Sequence, residues 1–314
     1  MHVTLRQLQI FRAIALSGST TAAAQSVPLS QSAASAALNE LERTLNARLF
    51  DRVGKRLLLN DRGRALLPTA LAVLDGARNL EAAFNADHDS VIDLHLFAST
   101  TVGNYILPRL LARFRERVPA AQLQLQIGNT REVVTAVRDF DADLGLIEGP
   151  CHASDIVVLP WLEDELVIVA SPTHPLAKAA KRGKLTPKQL SQSCWLLREP
   201  GSGTREAVEQ ALLPHLVDLQ STMTLGSSES IKNAVAEGLG VSCLSRYVVQ
   251  DLAAADRLSV LATRLPRLTR RLTIVHHRRK LLSESLRGFI AHCRAQTQWL
   301  GEASERLAPL PPPR

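Results

Sequence analysis

The sequence predicts an α/β protein in which a small helical domain precedes a larger, two-lobed domain. Three observations lead to this prediction. Residues 1–60 hold short helical patterns, residues 61–90 hold one long apolar helix, and the rest of the chain alternates strand and helix patterns. With 314 residues, of which 46% are hydrophobic, the chain is long enough for two or three domains with ordinary cores.

Residues 1–60 are predicted to contain three short helices followed by a basic hairpin. The segment 4–17 is amphipathic and places its apolar residues three or four apart, at Leu5, Leu8, Phe11 and Ala15. Ser19 is expected to cap a second helix and Ser30 a third. The third helix carries the apolar stripe Ala34, Leu38, Leu41 and Leu45.

The third helix and the hairpin are predicted to bind DNA. Small hydrogen-bonding side chains at the start of that helix suit base edges in a major groove, and a basic hairpin turning at Gly54 suits phosphates. Residues 43–64 hold seven basic residues against two acidic ones. The alternative is a small helical domain that binds no nucleic acid. The predicted DNA-binding residues are Ser30, Gln31, Ser32, Ser35, Arg52, Lys55 and Arg56.

Residues 61–90 are predicted to form a linker and dimerisation helix, with a kink at Pro68 and a polar linker at 85–90. The helix carries a heptad stripe that a second subunit would cover. Docking of the helix on the protein's own larger domain is the alternative. The predicted dimerisation residues are Leu66, Val73, Ala77, Leu80 and Phe84.

From residue 91 the order β-α-β-α-β indicates a parallel, doubly wound sheet. The first lobe is predicted over 91–161 and 266–300, and the second over 162–265. The two chain crossings near Trp161 and Pro266 would form a hinged cleft. A Pro-rich tail, 301–314, is predicted to be disordered.

A small-anion site is predicted in the cleft, because ligands of open α/β sheets lie beyond the carboxyl ends of the strands. Those ends are rich in hydroxyl groups and lead directly into helices, whose free N–H groups favour anions. Helix capping alone is the alternative role for each such residue. The predicted effector-binding residues are Ser99, Thr100, Thr101, Asn129, Glu148, Arg198, Ser202, Gly203 and Thr204.

The sequence offers little evidence for catalysis, metal binding or export. The segment at Gly201 matches neither a nucleophile elbow nor a P-loop. The acidic run 163–165 and the His276–His277 pair are interpreted as solvated surface groups. Four cysteines at 151, 194, 243 and 293 lack metal or disulfide spacing, so reduced and mostly buried thiols are expected. With no apolar membrane or signal segment, a cytoplasmic protein without cofactor is expected.

Several spaced motifs resemble the N-terminal signature of the LysR-type transcriptional regulators. They are Gln31-Ser-Ala-Ala-Ser35, Leu41-Glu42, Leu49-Phe-Asp-Arg52 and Asn60-Asp-Arg-Gly63. The resemblance covers nearly the whole chain. It implies a winged helix-turn-helix, a linker helix and a two-lobed, periplasmic-binding-protein-like effector domain, working as a homotetramer made of two dimers.

This resemblance implies a transcription regulator whose partners are an operator in double-stranded DNA and further copies of itself, with RNA polymerase as another candidate partner. Ala36 departs from the family, because many members have a long polar side chain there. The segments 99–108 and 197–205 resemble the branch tied to sulfur and anion metabolism, which implies a sulfite-like or sulfate-like effector. A small carboxylate is the other candidate effector. A cytoplasmic solute receptor and an α/β enzyme using the Gly201–Thr204 loop on an anionic substrate are the alternative functions.

Overall fold

The computed structural model describes residues 2–54, 56–84, 93–216 and 218–297. The chain divides into two compact units, Met1–Ser90 with Arg279–Ser283, and Val91–Arg278 with Glu284–Arg314. Lys55, the polar linker 85–90 and the tail 301–314 lie outside the described residues.

The first unit contains the predicted helices and hairpin. Its elements are α1 (Leu5–Ser17), α2 (Thr20–Ser26), α3 (Gln31–Thr44), β1 (Phe50–Val53), β2 (Arg56–Leu59) and α4 (Asp61–Phe84). Ser19 and Ser30 accept hydrogen bonds from backbone N–H groups and cap α2 and α3, as predicted. Helix α1 ends at Gly18, whose φ of 67° lies in the left-handed region.

The core of the first unit differs in part from the predicted stripes. Leu8, Phe11 and Ile14 of α1 are buried, as are Ala34, Leu38 and Leu41 of α3. Leu5 is 44% exposed and Leu45 is 37% exposed, so both stripes were predicted one residue too long. Both residues lie at a helix end, where the chain turns away from the core.

The hairpin is held to α3 by a buried carboxylate. Glu42 is 7% exposed, and its two oxygens accept hydrogen bonds from the Leu49 backbone N–H and from Arg48. Asn46 adopts a φ of 47°, a left-handed conformation that asparagine tolerates better than most residues. Gly63 approaches the hairpin so closely that a Cβ would lie 2.1 Å from the Leu49 carbonyl oxygen.

Helix α4 presents two different apolar rows. Ala70 and Leu74 are buried in the core of the first unit and Leu71 is also buried, whereas Val73 and Leu80 are 45% and 63% exposed. Leu66 and Ala77 are partly buried, and the side chain of Phe84 lies outside the described part of the chain. The helix is continuous through Pro68.

The second unit is built around one mixed sheet. Its first strands and helices are β3 (Asp93–Ser99), a π-helical turn (Val102–Ile106), α5 (Leu107–Arg117), β4 (Gln122–Gly128), α6 (Thr130–Arg138), β5 (Leu144–Glu148) and β6 (Ile156–Ala170). The remainder are α7 (Pro175–Ala180), α8 (Pro187–Ser191), β7 (Trp195–Arg198), α9 (Gly203–Leu212), β8 (Ser221–Leu225), α10 (Ser228–Ala236), β9 (Val241–Ser245), α11 (Arg246–Ala254), β10 (Ser259–Val260), β11 (Leu268–His277) and α12 (Glu284–Ala295).

The strand order is β4-β3-β5-β11-β6-β9-β7-β8, with β10 beside β6. Strands β3, β4 and β5 are parallel in one lobe, and β7, β8 and β9 are parallel in the other. The parallel arrangement predicted from the β-α-β-α-β order is present in β3, β4 and β5. The two crossing strands β6 and β11 are antiparallel to each other and to their neighbours, so the sheet as a whole is mixed. A chain that enters the second lobe and returns must cross in opposite directions.

The crossing point is marked by a β-bulge at Trp161. Leu162 pairs with Leu272 and Pro160 with Thr273, so Trp161 is the extra residue in β6. Its indole N–H donates a 3.0 Å hydrogen bond to the Cys293 carbonyl of α12. Leu272 and Thr273 of β11 lie opposite this bulge. None of the helices described is long and apolar enough to pass through a bilayer.

Candidate functional site

The start of α3 carries the predicted base-reading residues. The Ser30 hydroxyl caps the helix by accepting from the Ala33 N–H at 3.2 Å, and it also bonds to Ser32 at 2.9 Å. The Gln31 amide donates to Thr20 of α2 at 3.2 Å. Gln31 and Ser32 are exposed, and Ser35 is half-buried. The two helices thus present one connected polar surface, on which Ala36 is an exposed methyl group.

The hairpin carries two of the predicted phosphate-binding residues at its tip. Arg52 and Arg56 are exposed, and Val53 pairs with Arg56 across the antiparallel ladder. Gly54 has a φ of 61°, and a Cβ placed on it would meet nothing within 4 Å, so conformation alone favours glycine there. Lys55, the third predicted phosphate contact, lies outside the described residues.

In the second unit, a buried arginine joins groups from both lobes. Arg270 lies on β11 and its side chain is 3% exposed. Its Nε donates to Asp164 at 2.7 Å, and its Nη2 lies 2.9 Å from Glu148. Its Nη1 donates to Thr204 at 2.9 Å, while Nη2 also donates to Thr101 at 3.2 Å. The guanidinium therefore ties both crossing strands to the end of β5 and to the start of α9.

A second buried arginine lies among the predicted effector residues. Arg198 donates to Ser228 at 2.9 Å and to Thr100 at 3.3 Å. It also forms a bidentate pair with Glu199, at 2.8 and 2.9 Å. Burial raises the pKa of Glu199, but hydrogen bonds led by the one from Arg198 outweigh it and leave that pKa below its ordinary value.

The strand ends of the two lobes are in direct contact. Within the first lobe, Thr130 donates to the Glu148 carbonyl at 2.9 Å. A Cβ on Gly203 of the second lobe would lie 1.6 Å from that same oxygen. A Cβ on Gly149 would lie 2.7 Å from the Gly203 carbonyl. Both positions therefore require glycine for the lobes to meet this closely.

Some predicted effector residues are engaged within their own helices or with other protein groups. Asn129 and Ser202 each accept from a backbone N–H and cap α6 and α9. Thr204 donates its hydroxyl proton to Glu148 at 2.9 Å, and Thr100 donates to the Gly128 carbonyl at 3.3 Å. The hydroxyl protons of Thr204 and Thr100 are therefore already used within the protein, whereas the capping bonds of Asn129 and Ser202 use acceptor oxygens only.

The hydroxyl groups of Thr101 and Ser228 accept hydrogen bonds from the two buried arginines. Thr101 accepts from Arg270, and Ser228 accepts from Arg198. Among the described residues, neither hydroxyl is seen to donate. A hydroxyl that accepts from a cation becomes a stronger donor, because the charge polarises its O–H bond. Ser99 is fully buried at the end of β3, and its Oγ has no hydrogen-bond partner among the described residues.

Arg270, Asp164 and Ser228 were not predicted from the sequence. Around Asp164 in β6 and around Arg270 in β11, buried and more exposed residues alternate, and this alternation places both side chains on a buried face. Interpreting residues 163–165 as solvated was wrong for Asp164, which is 1% exposed. The His276–His277 pair was also misplaced on the surface, since these residues are 8% and 2% exposed in β11.

The surroundings of the Asp164 carboxyl group disfavour its charged form. Burial raises its pKa above the ordinary value, and the nearby Glu148 raises it further, against the opposing effects of Arg270 and the Ser245 hydroxyl. Burial also raises the pKa of the Cys243 thiol to about 12, so this neighbour is neutral. Two carboxylates therefore share one guanidinium in a buried cluster.

An open cavity of about 380 Å³ adjoins the groups around Arg198, whose partners Thr100 and Glu199 line it. Thr100, Gly128, Asn129, Glu199 and Gly226 line it together with Ile127 and Glu132.

The four cysteines are free, and only Cys243 and Cys293 are buried, so the prediction of mostly buried thiols holds for two of them. No cluster of metal-ligating side chains occurs in the described part of the chain.

Two family models match the chain. The bacterial regulatory helix-turn-helix protein, lysR family, matches residues 5–64, and the LysR substrate binding domain matches residues 93–298. The HTH-type transcriptional regulator YeiE of Escherichia coli K12 is 52% identical over 293 residues, which cover 93% of this chain and 98% of YeiE.

Two solved structures share the fold. A full-length OxyR variant of Pseudomonas aeruginosa matches with a TM-score of 0.69 at 23% identity, over 95% of this chain and 98% of OxyR. The regulatory domain of CcmR from Synechocystis PCC6803, in complex with 2-PG, matches with a TM-score of 0.60 at 30% identity. That match covers 66% of this chain and 97% of the CcmR domain.

Replacing Arg270 should destabilise the second unit strongly. Arg270→Met leaves two buried carboxylates without their cation, and we expect a loss of about 3–5 kcal/mol in the free energy of unfolding at neutral pH. Urea denaturation of the full chain measures this loss. Arg271→Met is the matched control, because Arg271 is the next residue of the same strand and is exposed.

The loss in the free energy of unfolding caused by Arg270→Met should be smaller at acid pH than at neutral pH. A carboxyl with a raised pKa in the folded state adds stability below its ordinary pKa and loses that contribution as the pH rises through the raised value. Without Arg270 this effect should grow, since nothing opposes the burial of the two charges. Equal losses for both variants, or a loss that does not depend on pH, would contradict the role assigned to Arg270.

Proposed function

The chain belongs to the family of LysR-type transcriptional regulators, and from this premise we propose that it reports a small anion to a DNA operator. The family is one of DNA-binding regulators with an effector-binding domain, so the enzyme and solute-receptor alternatives no longer apply. We further propose the chemical class of the effector, the residues that bind the effector and DNA, and how the subunits assemble.

For DNA, we propose that Gln31, Ser32 and Ser35 face the bases and that Arg52, Lys55 and Arg56 face the phosphates. The first three lie on the outer surface of the start of α3, where a major groove admits a helix. The arginines lie at the hairpin tip without an acidic partner among the described residues. Arg48 differs from them, because it is paired with Glu42.

For the effector, the observation that supports an anion is the pair of hydroxyls polarised by arginine. Thr101 and Ser228 belong to different lobes, and each accepts from a buried arginine and keeps its hydroxyl proton to donate. We propose that both donate to one bound anion. The helices α6, α9 and α10 begin at this edge and add favourable dipoles. The related CcmR domain is described in complex with 2-PG, which is consistent with a small ligand in this domain. A sulfite-like or sulfate-like ion and a small carboxylate both fit this proposal.

For the assembly, we propose a dimer formed along α4 and pairing of two dimers into a tetramer. Val73 and Leu80 lie seven residues apart on one face of α4 and are exposed, as expected for a seam that a second copy covers. RNA polymerase is a further proposed partner, in keeping with a regulator of transcription. The effector would act by favouring one arrangement of the assembly on DNA.

Base-reading and phosphate-binding variants should differ in salt dependence. Gln31→Ala or Ser35→Ala should change sequence preference by about 1–3 kcal/mol per lost base contact. Arg52→Ala should weaken binding to all sequences and lower the log–log salt slope by about 0.9. Gel shifts over a salt series measure both effects. Arg43→Ala is the control, because Arg43 is a basic residue already paired with Glu40. An unchanged slope for Arg52→Ala would refute the phosphate contact.

A charge on the exposed row of α4 should dissociate the assembly. Leu80→Asp places a carboxylate in a seam that loses its water on pairing, which costs several kcal/mol. Light scattering should then show a smaller particle than the parent protein. The matched control is Leu239→Asp, since Leu239 is 55% exposed and lies outside the helix. If Leu80→Asp and the parent assemble to the same size, α4 does not hold the subunits together.

Anion binding should stabilise the protein and depend on Thr101. The full chain is tested by thermal shift with sulfite, sulfate, phosphate and small carboxylates, and a hit at a hundredfold excess over its dissociation constant stabilises by about 2.7 kcal/mol. Thr101→Val keeps the size of the side chain, removes the donor and should weaken binding by about 1–3 kcal/mol. Thr269→Val, on the exposed face of β11, should leave binding unchanged. A hit that Thr101→Val does not weaken would place the site elsewhere.

A further inference from the structure

The charged groups at the cleft include more carboxylates than guanidinium groups. Two buried guanidinium groups, of Arg198 and Arg270, face three carboxylates, of Glu199, Glu148 and Asp164. The side chains of both arginines and of Glu148 and Asp164 are at most 3% exposed, so water screens these charges little. An entering anion therefore finds no guanidinium that lacks a carboxylate partner in this cluster.

Glu148 retains capacity to accept a hydrogen bond. Its Oε1 accepts from Thr204 at 2.9 Å. Its Oε2 lies 2.9 Å from Arg270 Nη2, but the donor direction is unsuitable, and this buried atom has no hydrogen-bond partner among the described residues. A carboxylate oxygen without a partner needs a hydrogen-bond donor. A fully deprotonated oxyanion has no proton to donate.

These observations bear on which anions the cleft accepts. We propose that it selects small oxyanions that still carry an acidic proton, with Glu148 accepting the ligand's O–H while Thr101 and Ser228 donate to its other oxygens. This inference rests on the proposed anion site and narrows its ligand class. An oxyanion of the same size without a proton would set its lone pairs against those of Glu148 and leave that carboxylate unsatisfied.

Two pairs of ions of equal shape test this selectivity in the full-length protein. Inorganic phosphate and sulfate are both tetrahedral, and hydrogencarbonate and nitrate are both planar, but only the first ion of each pair carries a proton near neutral pH. Titration calorimetry at constant ionic strength gives the dissociation constants. In the pair whose size fits, we expect the proton-bearing ion to bind at least about 100-fold more tightly.

The variant Glu148→Gln then tests the residue itself. Its amide keeps an oxygen for the Thr204 hydroxyl and offers an N–H to the ligand, so the preference for the proton-bearing ion should fall at least about tenfold. Glu163→Gln removes one charge from the exposed face of the neighbouring β6 and should leave the preference intact. The parent protein's selectivity is decisive even if Glu148→Gln does not fold.

The outcomes separate the two proposals. In the pair whose size fits, equal binding of both ions, or a preference for sulfate or nitrate, overturns the selectivity but leaves an anion site. A preference that survives Glu148→Gln overturns the role of Glu148. Failure of all four ions, and of the wider panel of anions, to bind overturns the anion site and the selectivity with it.

Discussion

The second unit depends on the burial of one guanidinium between two carboxylates. Arg270 and Asp164 lie on the two strands that cross between the lobes, and Glu148 lies at the end of a strand of the first lobe. A buried charge without its partner is very costly, so these groups must stay together whenever the chain is folded. The crossing strands, the ends of the parallel strands and the start of α9 are therefore fixed relative to one another.

The close approach of the lobes follows from this constraint. The Thr204 hydroxyl takes part in the cluster through both Glu148 and Arg270, which brings the start of α9 against the end of β5. Only glycine fits at positions 149 and 203 at this separation. A ligand that enters between the lobes must exchange hydrogen bonds with this cluster, and it can shift the protein only by the difference in its affinity for two arrangements.

Local signals predicted much of the fold, but they did not predict the contacts that the crossing strands make. Ser19 and Ser30 cap helices and Gly18 ends one, and each is recognisable without knowledge of the tertiary structure. Arg270 and Asp164 are 106 residues apart in sequence and meet only through the antiparallel pairing of β6 and β11. The β-α-β-α-β order contains no information on strands that pass between lobes, so the direction of these strands could not be predicted, and their buried polar residues Asp164, His276 and His277 were wrongly placed on the surface.

The pairing of the cleft arginines with carboxylates bears on what kind of sensor the protein can be. An unpaired buried arginine would attract almost any anion, because charge alone discriminates poorly between ions of equal size. Once Arg198 and Arg270 are neutralised, binding energy must come from directed hydrogen bonds, such as those of Thr101 and Ser228. Directed bonds distinguish ligands by the placement of their donors and acceptors. In the proposed anion site, this arrangement gives up some affinity for anions in general, and the response would then depend on the protonation and shape of the bound ion.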